Sequence, residues 1–95
     1  MSAVLWTETA LNGLSHIQAY IEQFNPRAAA HVAASLRADA EGLANFPHRG
    51  RLVPGARPDT RELVTDYPYI IRYRVTGDTV NILRIRHTAR RPTTP

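Results

Sequence analysis

The sequence predicts an α+β domain in which an N-terminal strand and an antiparallel helical hairpin pack on one face of a small twisted antiparallel sheet. Between residues 8 and 46, apolar residues recur every three or four positions, the pattern of amphipathic helices. After residue 58 the period changes to the alternation typical of half-buried strands. With 95 residues, the chain has the length of one domain. We expect this domain over residues 1–91 and a flexible tail at 92–95.

The first segment predicts a short strand, Ala3–Trp6, and then a helix from Glu8 to Phe24. Thr7 suits the N-cap position, and the acidic Glu8 suits the positive helix terminus. Proline disfavours helical geometry in the residue before it, so Asn25 and Pro26 should end this helix and begin the next. The expected core-facing stripe of the helix comprises Leu11, Leu14, Ile17, Ile21 and Phe24.

The second helix is predicted from Pro26 to Phe46 and is rich in alanine. Alanine is the strongest helix former, and its small side chain allows the two helices to approach closely. The two segments therefore predict a helical hairpin. The stretch from Pro47 to Pro58 contains three prolines and two glycines, which predicts a loop.

Three strands are expected after this loop, in the segments RELV, YIIRYRV and TVNILRIRH. The last two form a hairpin through Thr76, Gly77 and Asp78. We expect Val75 to pair with Thr79 across a three-residue loop, because this register places hydrophobic residues together in the core. It sets Leu83 against Ile71 and Ile85 against Tyr69, and gathers four arginines on the other face: Arg72, Arg74, Arg84 and Arg86.

These four arginines share a face on which their two strands carry no acidic residue. They can simply be the solvent-exposed face of an amphipathic sheet. Alternatively they bind an anion, either a phosphate backbone or an acidic partner segment, which would relieve the repulsion between like charges on neighbouring strands. A net charge of +4 agrees with such a partner. The candidate binding residues are Arg51, Arg72, Arg74, Arg84, Arg86 and Arg90.

His87 ends the last strand beside these cations. Histidine titrates near neutral pH, so this position could hold a general acid. The expected register points His87 toward the core, however, where a hydrogen-bonded structural role is the alternative. The spacing of the four histidines predicts no metal site, and no phosphate-binding glycine loop is present, so we expect no cofactor.

The chain lacks cysteine, which excludes disulfides and thiolate metal sites. No apolar run approaches the roughly 20 residues of a membrane-spanning helix, and the N-terminus lacks a signal-peptide pattern. We therefore expect a cytoplasmic protein without membrane contact.

Several of these segments, in this order, resemble the RelE/ParE superfamily, the toxins of bacterial type II toxin–antitoxin systems. The resemblance spans nearly the whole chain and rests on an opening strand with Trp6, the break at Asn25 and Pro26, and the segments FPHRGR, RELV, YIIRYRV and VNILRIRHTARR. It implies a toxin associated with plasmid stabilisation. It also implies a cognate antitoxin that forms a tight hetero-oligomer with the toxin.

The superfamily divides by target. RelE-like members are ribosome-dependent endoribonucleases that cleave messenger RNA, whereas ParE-like members block DNA gyrase without nuclease chemistry. Ribonuclease members commonly place an arginine after the aromatic residue that opens the penultimate strand, but this chain has Tyr69 followed by Ile70. The resemblance therefore favours a ParE-like gyrase inhibitor, which would not be an enzyme.

Two alternatives stay open. In a RelE-like ribonuclease, His87 would act as the general acid while Arg61 and Arg84 stabilise the pentavalent phosphate. The second alternative is a non-toxic, basic nucleic-acid-binding module. The arginine face lacks the exposed aromatic residues on which such modules stack bases, which weighs against it.

Overall fold

A computed structural model describes residues 2–66 and 68–88 of the chain. The predicted α+β fold class is confirmed, with two helices packed on one side of a five-stranded sheet. The predicted domain boundary at residue 91 and the tail at 92–95 lie outside the described residues. The elements are β1 (Ala3–Trp6), α1 (Glu8–Glu22), α2 (Pro26–Glu41), a short 3-10 turn (Gly42–Ala44), β2 (Arg51–Leu52), β3 (Thr60–Val64), β4 (Tyr69–Thr76) and β5 (Thr79–His87).

The helix starts follow from local capping chemistry. The hydroxyl oxygen of Thr7 accepts a hydrogen bond from the backbone N–H of Ala10 at 3.2 Å. The same hydroxyl group donates a hydrogen bond to the carbonyl of Ile82 at 2.8 Å. One side chain thus begins α1 and ties it to β5. Asn25 caps α2 in the same way, through the N–H of Ala28 at 3.0 Å. The Thr7 cap agrees with the sequence prediction, and α2 begins at the predicted break after Asn25.

The helix ends fall earlier than predicted. α1 stops at Glu22, and α2 stops at Glu41, where the chain tightens into the 3-10 turn. The apolar stripe of α1 is also narrower than predicted, because Leu11 is 49% and Phe24 72% exposed. Within the described residues, neither helix has the length and apolar content needed to cross a membrane.

The strand order is β1-β5-β4-β3-β2, and β1 runs parallel to β5. The sheet is therefore mixed, whereas the prediction was wholly antiparallel. The chain leaves β1 through the helical hairpin and returns by way of β2, β3 and β4, so β5 arrives beside β1 in the same direction. β2 lies within the predicted loop and has only two residues, too few to show an alternating pattern.

The predicted register between β4 and β5 is wrong. Val75 pairs with Val80, and the hairpin turn has two residues, the first of which, Gly77, has a φ of 57°. A β-bulge then makes Leu83 the extra residue of β5. Simple alternation after the buried Ile82 would turn Arg84 inward. The bulge instead places Ile85 in the core and leaves Arg84 on the outer side.

The core lies between the helices and the side of the sheet that they cover. Its largest fully buried side chains come from both layers: Tyr73, Leu36, Leu43, Ile71, Ile82 and Val80. We call the opposite side of the sheet the open face.

Candidate functional site

Five arginines of the predicted binding set lie on the open face. Directly paired residues of neighbouring strands point to the same side of a sheet. Arg51 pairs with Glu62, Glu62 with Arg72, and Arg72 with Arg84, so one row of side chains crosses four strands. Arg74 and Arg86 share this side by alternation along β4 and β5. Arg90, the sixth member of the set, lies outside the described residues.

Glu62 is an acidic residue of this face that the sequence prediction overlooked. Its Oε2 atom lies 2.8 Å from Nη2 of Arg72 and 3.7 Å from Nη2 of Arg86. Its side chain is only 12% exposed, so the carboxylate sits among the arginines. The repulsion expected between these cations is thus partly offset within the protein. Alternation from the buried Leu63 places Glu62 outward, and that signal was available in the sequence.

The remaining cations of the open face differ in their availability. The Nε of Arg74 donates to the carbonyl of Pro58 at 3.0 Å. Arg84 is exposed, and it forms no ion pair with another described residue. Leu5 and Val64, 55% and 61% exposed, border this face at either side. The surface is therefore basic in its centre and apolar at its margins.

A cleft of about 490 Å³ lies between the open face and the loop of residues 53–59. The loop folds back because the N–H of Val53 donates to the carbonyl of Thr60 at 2.9 Å. It brings a further cation, Arg57, beside Arg72 and Arg74. Three guanidinium groups around one cleft favour an anionic occupant, either carboxylates or phosphates.

The three residues predicted for ribonuclease chemistry are not brought together. Arg61 pairs with the buried Tyr73 and thus points to the covered side of the sheet, whereas Arg84 lies on the open face. The Arg61 side chain is only 17% exposed. Its guanidinium group donates to Asp59 Oδ1 at 2.8 Å and to the carbonyls of Gly50 and His48 at 2.8 and 3.2 Å. These bonds use Arg61 to hold the chain.

His87 lies on the covered side, at the far end of the sheet from Arg61. Its ring meets the ring of Tyr69 edge to face, with the ring centres 5.1 Å apart. Tyr69 and Tyr73, the partners of His87 and Arg61, are four residues apart in β4, roughly 13 Å at the rise of a strand. Because the Arg61 guanidinium is also held by Asp59 and by the carbonyls of residues 48 and 50, the structure does not bring it and His87 to a common phosphate.

A second network holds residues 45–50, the loop that joins the 3-10 turn to β2. The N–H of Gly50 donates to Oη of the fully buried Tyr73 at 2.7 Å. Burial raises the pKa of the Tyr73 hydroxyl, which keeps it neutral. Asp59, which orients Arg61, also lies 3.5 Å from Nε2 of His48. Asp59 has a φ of 56°, a left-handed conformation that few residues except glycine adopt readily.

Two acidic residues border the same loop. Burial raises the pKa of Asp39, the nearby carboxylate of Asp66 raises it further, and the guanidinium of Arg49 lowers it. Among the described residues, no group of three or more His, Asp or Glu side chains is placed to hold a metal ion.

Comparisons with known proteins agree with this fold. Residues 4–92 match the family model described as the ParE toxin of the type II toxin–antitoxin system parDE. Toxin RelE2 of Caulobacter vibrioides is 49% identical over 90 residues, which cover 95% of this chain and 99% of that protein. The structure of a chromosomal ParDE toxin–antitoxin system from P. aeruginosa superposes with a TM-score of 0.79 at 25% identity, over 92% of this chain and 96% of that one.

The toxin–antitoxin complex RelBE2 from Mycobacterium tuberculosis superposes with a TM-score of 0.63 at 27% identity, over 90% of this chain and 96% of that one. Sequence and fold thus lead to the same assignment, which the resemblance noted in the sequence had predicted. The chain belongs to the ParE toxin family of type II toxin–antitoxin systems, within the RelE/ParE superfamily.

Proposed function

We propose that this toxin inhibits DNA gyrase when free, and that a cognate antitoxin neutralises it by binding the open face. Membership of the ParE family supports the gyrase branch of the superfamily. The higher structural similarity to a ParDE system, a TM-score of 0.79 against 0.63 for RelBE2, supports the same branch.

The separation of Arg61 from Arg84 is the observation that carries this proposal. Cleavage through a ribose 2′-hydroxyl needs cations and an acid that act on one phosphate. Arg61 and Arg84 leave the sheet on opposite sides, and Arg61 is already bonded to Asp59. Inhibition by binding needs no such convergence, so a toxin that obstructs an enzyme fits this arrangement better.

The composition of the open face supports an antitoxin segment as its occupant. Arg51, Arg74 and Arg84 would meet carboxylates, while Leu5 and Val64 would meet apolar side chains at the margins. Both similar structures are of toxin–antitoxin systems. We therefore expect an amphipathic segment with acidic residues, bound in a tight hetero-oligomer.

A supercoiling assay with purified DNA gyrase tests the proposal directly. The free toxin should stop the introduction of supercoils, and an equimolar amount of its antitoxin should restore activity. In parallel, primer extension on transcripts from cells that express the toxin should show no new codon-phased ends. Full gyrase activity at saturating toxin would overturn the gyrase assignment.

A ribosome-dependent ribonuclease is the second candidate. One observation favours it: the 49% identical relative bears the name Toxin RelE2. In this case the primer extension would show cuts phased with codons, and the gyrase assay would show no inhibition. The predicted non-toxic nucleic-acid-binding module is disfavoured, since the chain belongs to a toxin family.

A further inference from the structure

We propose that residues 45–50, which we call the Phe46 loop, form the surface that docks DNA gyrase, with the Phe46 ring inserted into an apolar pocket of that enzyme. This inference rests on the proposed function. It concerns a surface on the other side of the sheet from the arginines of the open face.

The first observation is the exposure of Phe46. This residue is 66% exposed and lies two positions after the end of the 3-10 turn. A shallow depression of about 610 Å³ adjoins it, lined by Asn45, Pro47, His48 and Arg49. Aromatic rings and arginines are the residues that most often dominate the energy of protein interfaces, where they fill desolvated pockets. Phe46 and Arg49 together offer such a pair.

The second observation is that the loop is fixed from beneath. Arg61 donates to the carbonyls of His48 and Gly50, and the N–H of Gly50 donates to the buried Tyr73 hydroxyl. Within the loop, the N–H of Arg49 donates to the carbonyl of Phe46 at 3.1 Å and closes a turn. A ring presented by an ordered loop loses little conformational freedom on binding, which favours affinity. The strained Asp59, which orients Arg61, is thus part of a support for an exposed surface.

The charges around the loop favour a protein over a nucleic acid. An aromatic ring beside an arginine could also stack on a base. Asp39 and Asp66 lie near enough to each other to raise the pKa of Asp39, and Arg49 is beside them. These carboxylates would repel a phosphate backbone, and they already use part of the positive charge of Arg49. A folded partner with an apolar pocket and a mixed polar rim fits this surface better.

The position of the loop favours the target over the antitoxin. Arg61 reaches the loop from the covered side of β3, whereas its neighbour Glu62 lies among the arginines of the open face. An antitoxin segment on the open face would not contact Phe46 unless it also passed around the β2 edge, so it would neutralise the toxin by blocking the approach of gyrase and not by covering the ring. The two surfaces are therefore separate, and each can be altered without changing the other.

Inhibition of purified DNA gyrase by single-site variants tests the proposal. Phe46→Ala should raise the toxin concentration for half-inhibition at least tenfold, whereas Phe46→Trp should stay near wild type. Phe24→Ala is the matched control, since Phe24 is 72% exposed at the tip of the hairpin. This control should change the toxin concentration for half-inhibition less than twofold. Binding of each variant to the antitoxin is measured alongside and should be unaltered.

A photo-crosslinking amino acid, p-benzoylphenylalanine, at position 46 supplies an independent measurement. It should form a covalent adduct with gyrase, and the same group at position 24 should not. If the wild-type toxin inhibits gyrase but Phe46→Ala weakens inhibition no more than Phe24→Ala does, the docking role of the Phe46 loop is overturned and the gyrase assignment stands. Failure of the wild-type toxin to inhibit gyrase would overturn the function and the docking surface together. Loss of antitoxin binding by Phe46→Ala would assign the loop to the antitoxin. If the wild type cleaves RNA and Phe46→Ala does not, the loop would be assigned to RNA.

Discussion

Arg61 and Glu62 are consecutive residues of β3, and their side chains leave the sheet on opposite sides. Arg61 holds the Phe46 loop from the covered side through the carbonyls of His48 and Gly50. Glu62 lies on the open face, between Arg72 and Arg86. One short strand therefore organises both candidate surfaces, and a change at either residue should affect only one of them.

Glu62→Gln should destabilise the fold modestly. The variant keeps the shape of the side chain but loses the charge that meets Arg72 at 2.8 Å and Arg86 at 3.7 Å. Because the Arg72 side chain is 33% exposed, solvent screens the pair, and we expect a loss of about 1 kcal/mol in the free energy of unfolding. Urea unfolding measures it. Glu22→Gln, an exposed change on α1, is the control. Equal stability of the two variants would show that the Glu62 carboxylate has no structural role.

Much of this architecture could be predicted from the sequence, because periodicity reports which side of an element is buried. The bounds of β1 and β5, the Thr7 cap and the gathering of arginines on one side were all accessible in this way. The β4–β5 register was not. A β-bulge adds one residue to a strand, and alternation continued past Leu83 cannot show where that residue lies.

The hydrogen bonds that hold the Phe46 loop could not be predicted from the sequence either. The sequence marked Arg61 as a candidate phosphate-stabilising cation and gave Asp59 and Gly50 no role. The bonds between these residues depend on how the 45–50 and 53–59 segments fold against β3 and β4. The role of Tyr73 was partly visible, since alternation placed it in the core with a hydroxyl that needs a partner. Its partner, the N–H of Gly50, was not predictable.

Gly50→Ala should disrupt the Phe46 loop. A Cβ atom at this position would lie 2.7 Å from the Tyr73 hydroxyl and 2.8 Å from the carbonyl oxygen of Glu62, so the backbone or the buried ring must shift. We expect a loss of about 1–3 kcal/mol in the free energy of unfolding. Thermal unfolding followed by circular dichroism measures it.

Gly42→Ala provides the matched control for this change. A Cβ atom at Gly42 would have no heavy atom within 4 Å, and the residue has a φ of −62° that alanine adopts readily. This variant should be as stable as wild type, or more stable by about 0.4–1 kcal/mol. If Gly50→Ala behaved like Gly42→Ala, the loop would not be held by the Tyr73 hydroxyl as the geometry indicates.

Arg84→Ala should weaken capture by the antitoxin. Arg84 is exposed on the open face and makes no ion pair with another described residue, so its charge is available to a partner. We expect the Kd for the purified antitoxin to rise about tenfold, the effect of roughly 1.4 kcal/mol. The loss should shrink at high salt, which screens such contacts. Titration calorimetry measures it.

Arg37→Ala, an exposed change on α2, is the control for the antitoxin measurement. Because α2 lies on the covered side of the sheet, removal of the Arg37 side chain should leave the Kd for the antitoxin within about twofold of wild type. Equal losses from Arg84→Ala and Arg37→Ala would mean that general positive charge, and not the open face, attracts the antitoxin.

Asp39→Asn should change how stability depends on pH. Burial and the charge of Asp66 raise the pKa of Asp39 above its ordinary value of 3.8, so the folded protein holds this proton more tightly than the unfolded chain does. Wild-type stability from this group is therefore present at low pH and is lost as the pH rises from about 3.8 through the raised pKa.

The asparagine of Asp39→Asn cannot ionise, so the variant escapes this loss. The variant should gain stability relative to wild type between acidic and neutral pH, by less than about 1 kcal/mol because Asp39 is only partly buried and solvent screens its charge. Urea unfolding across this pH range measures the difference, and Asp66→Asn, which removes the neighbouring charge, should reproduce part of it. A difference between Asp39→Asn and wild type that stays constant with pH would mean that Asp39 ionises equally easily in the folded and unfolded chains.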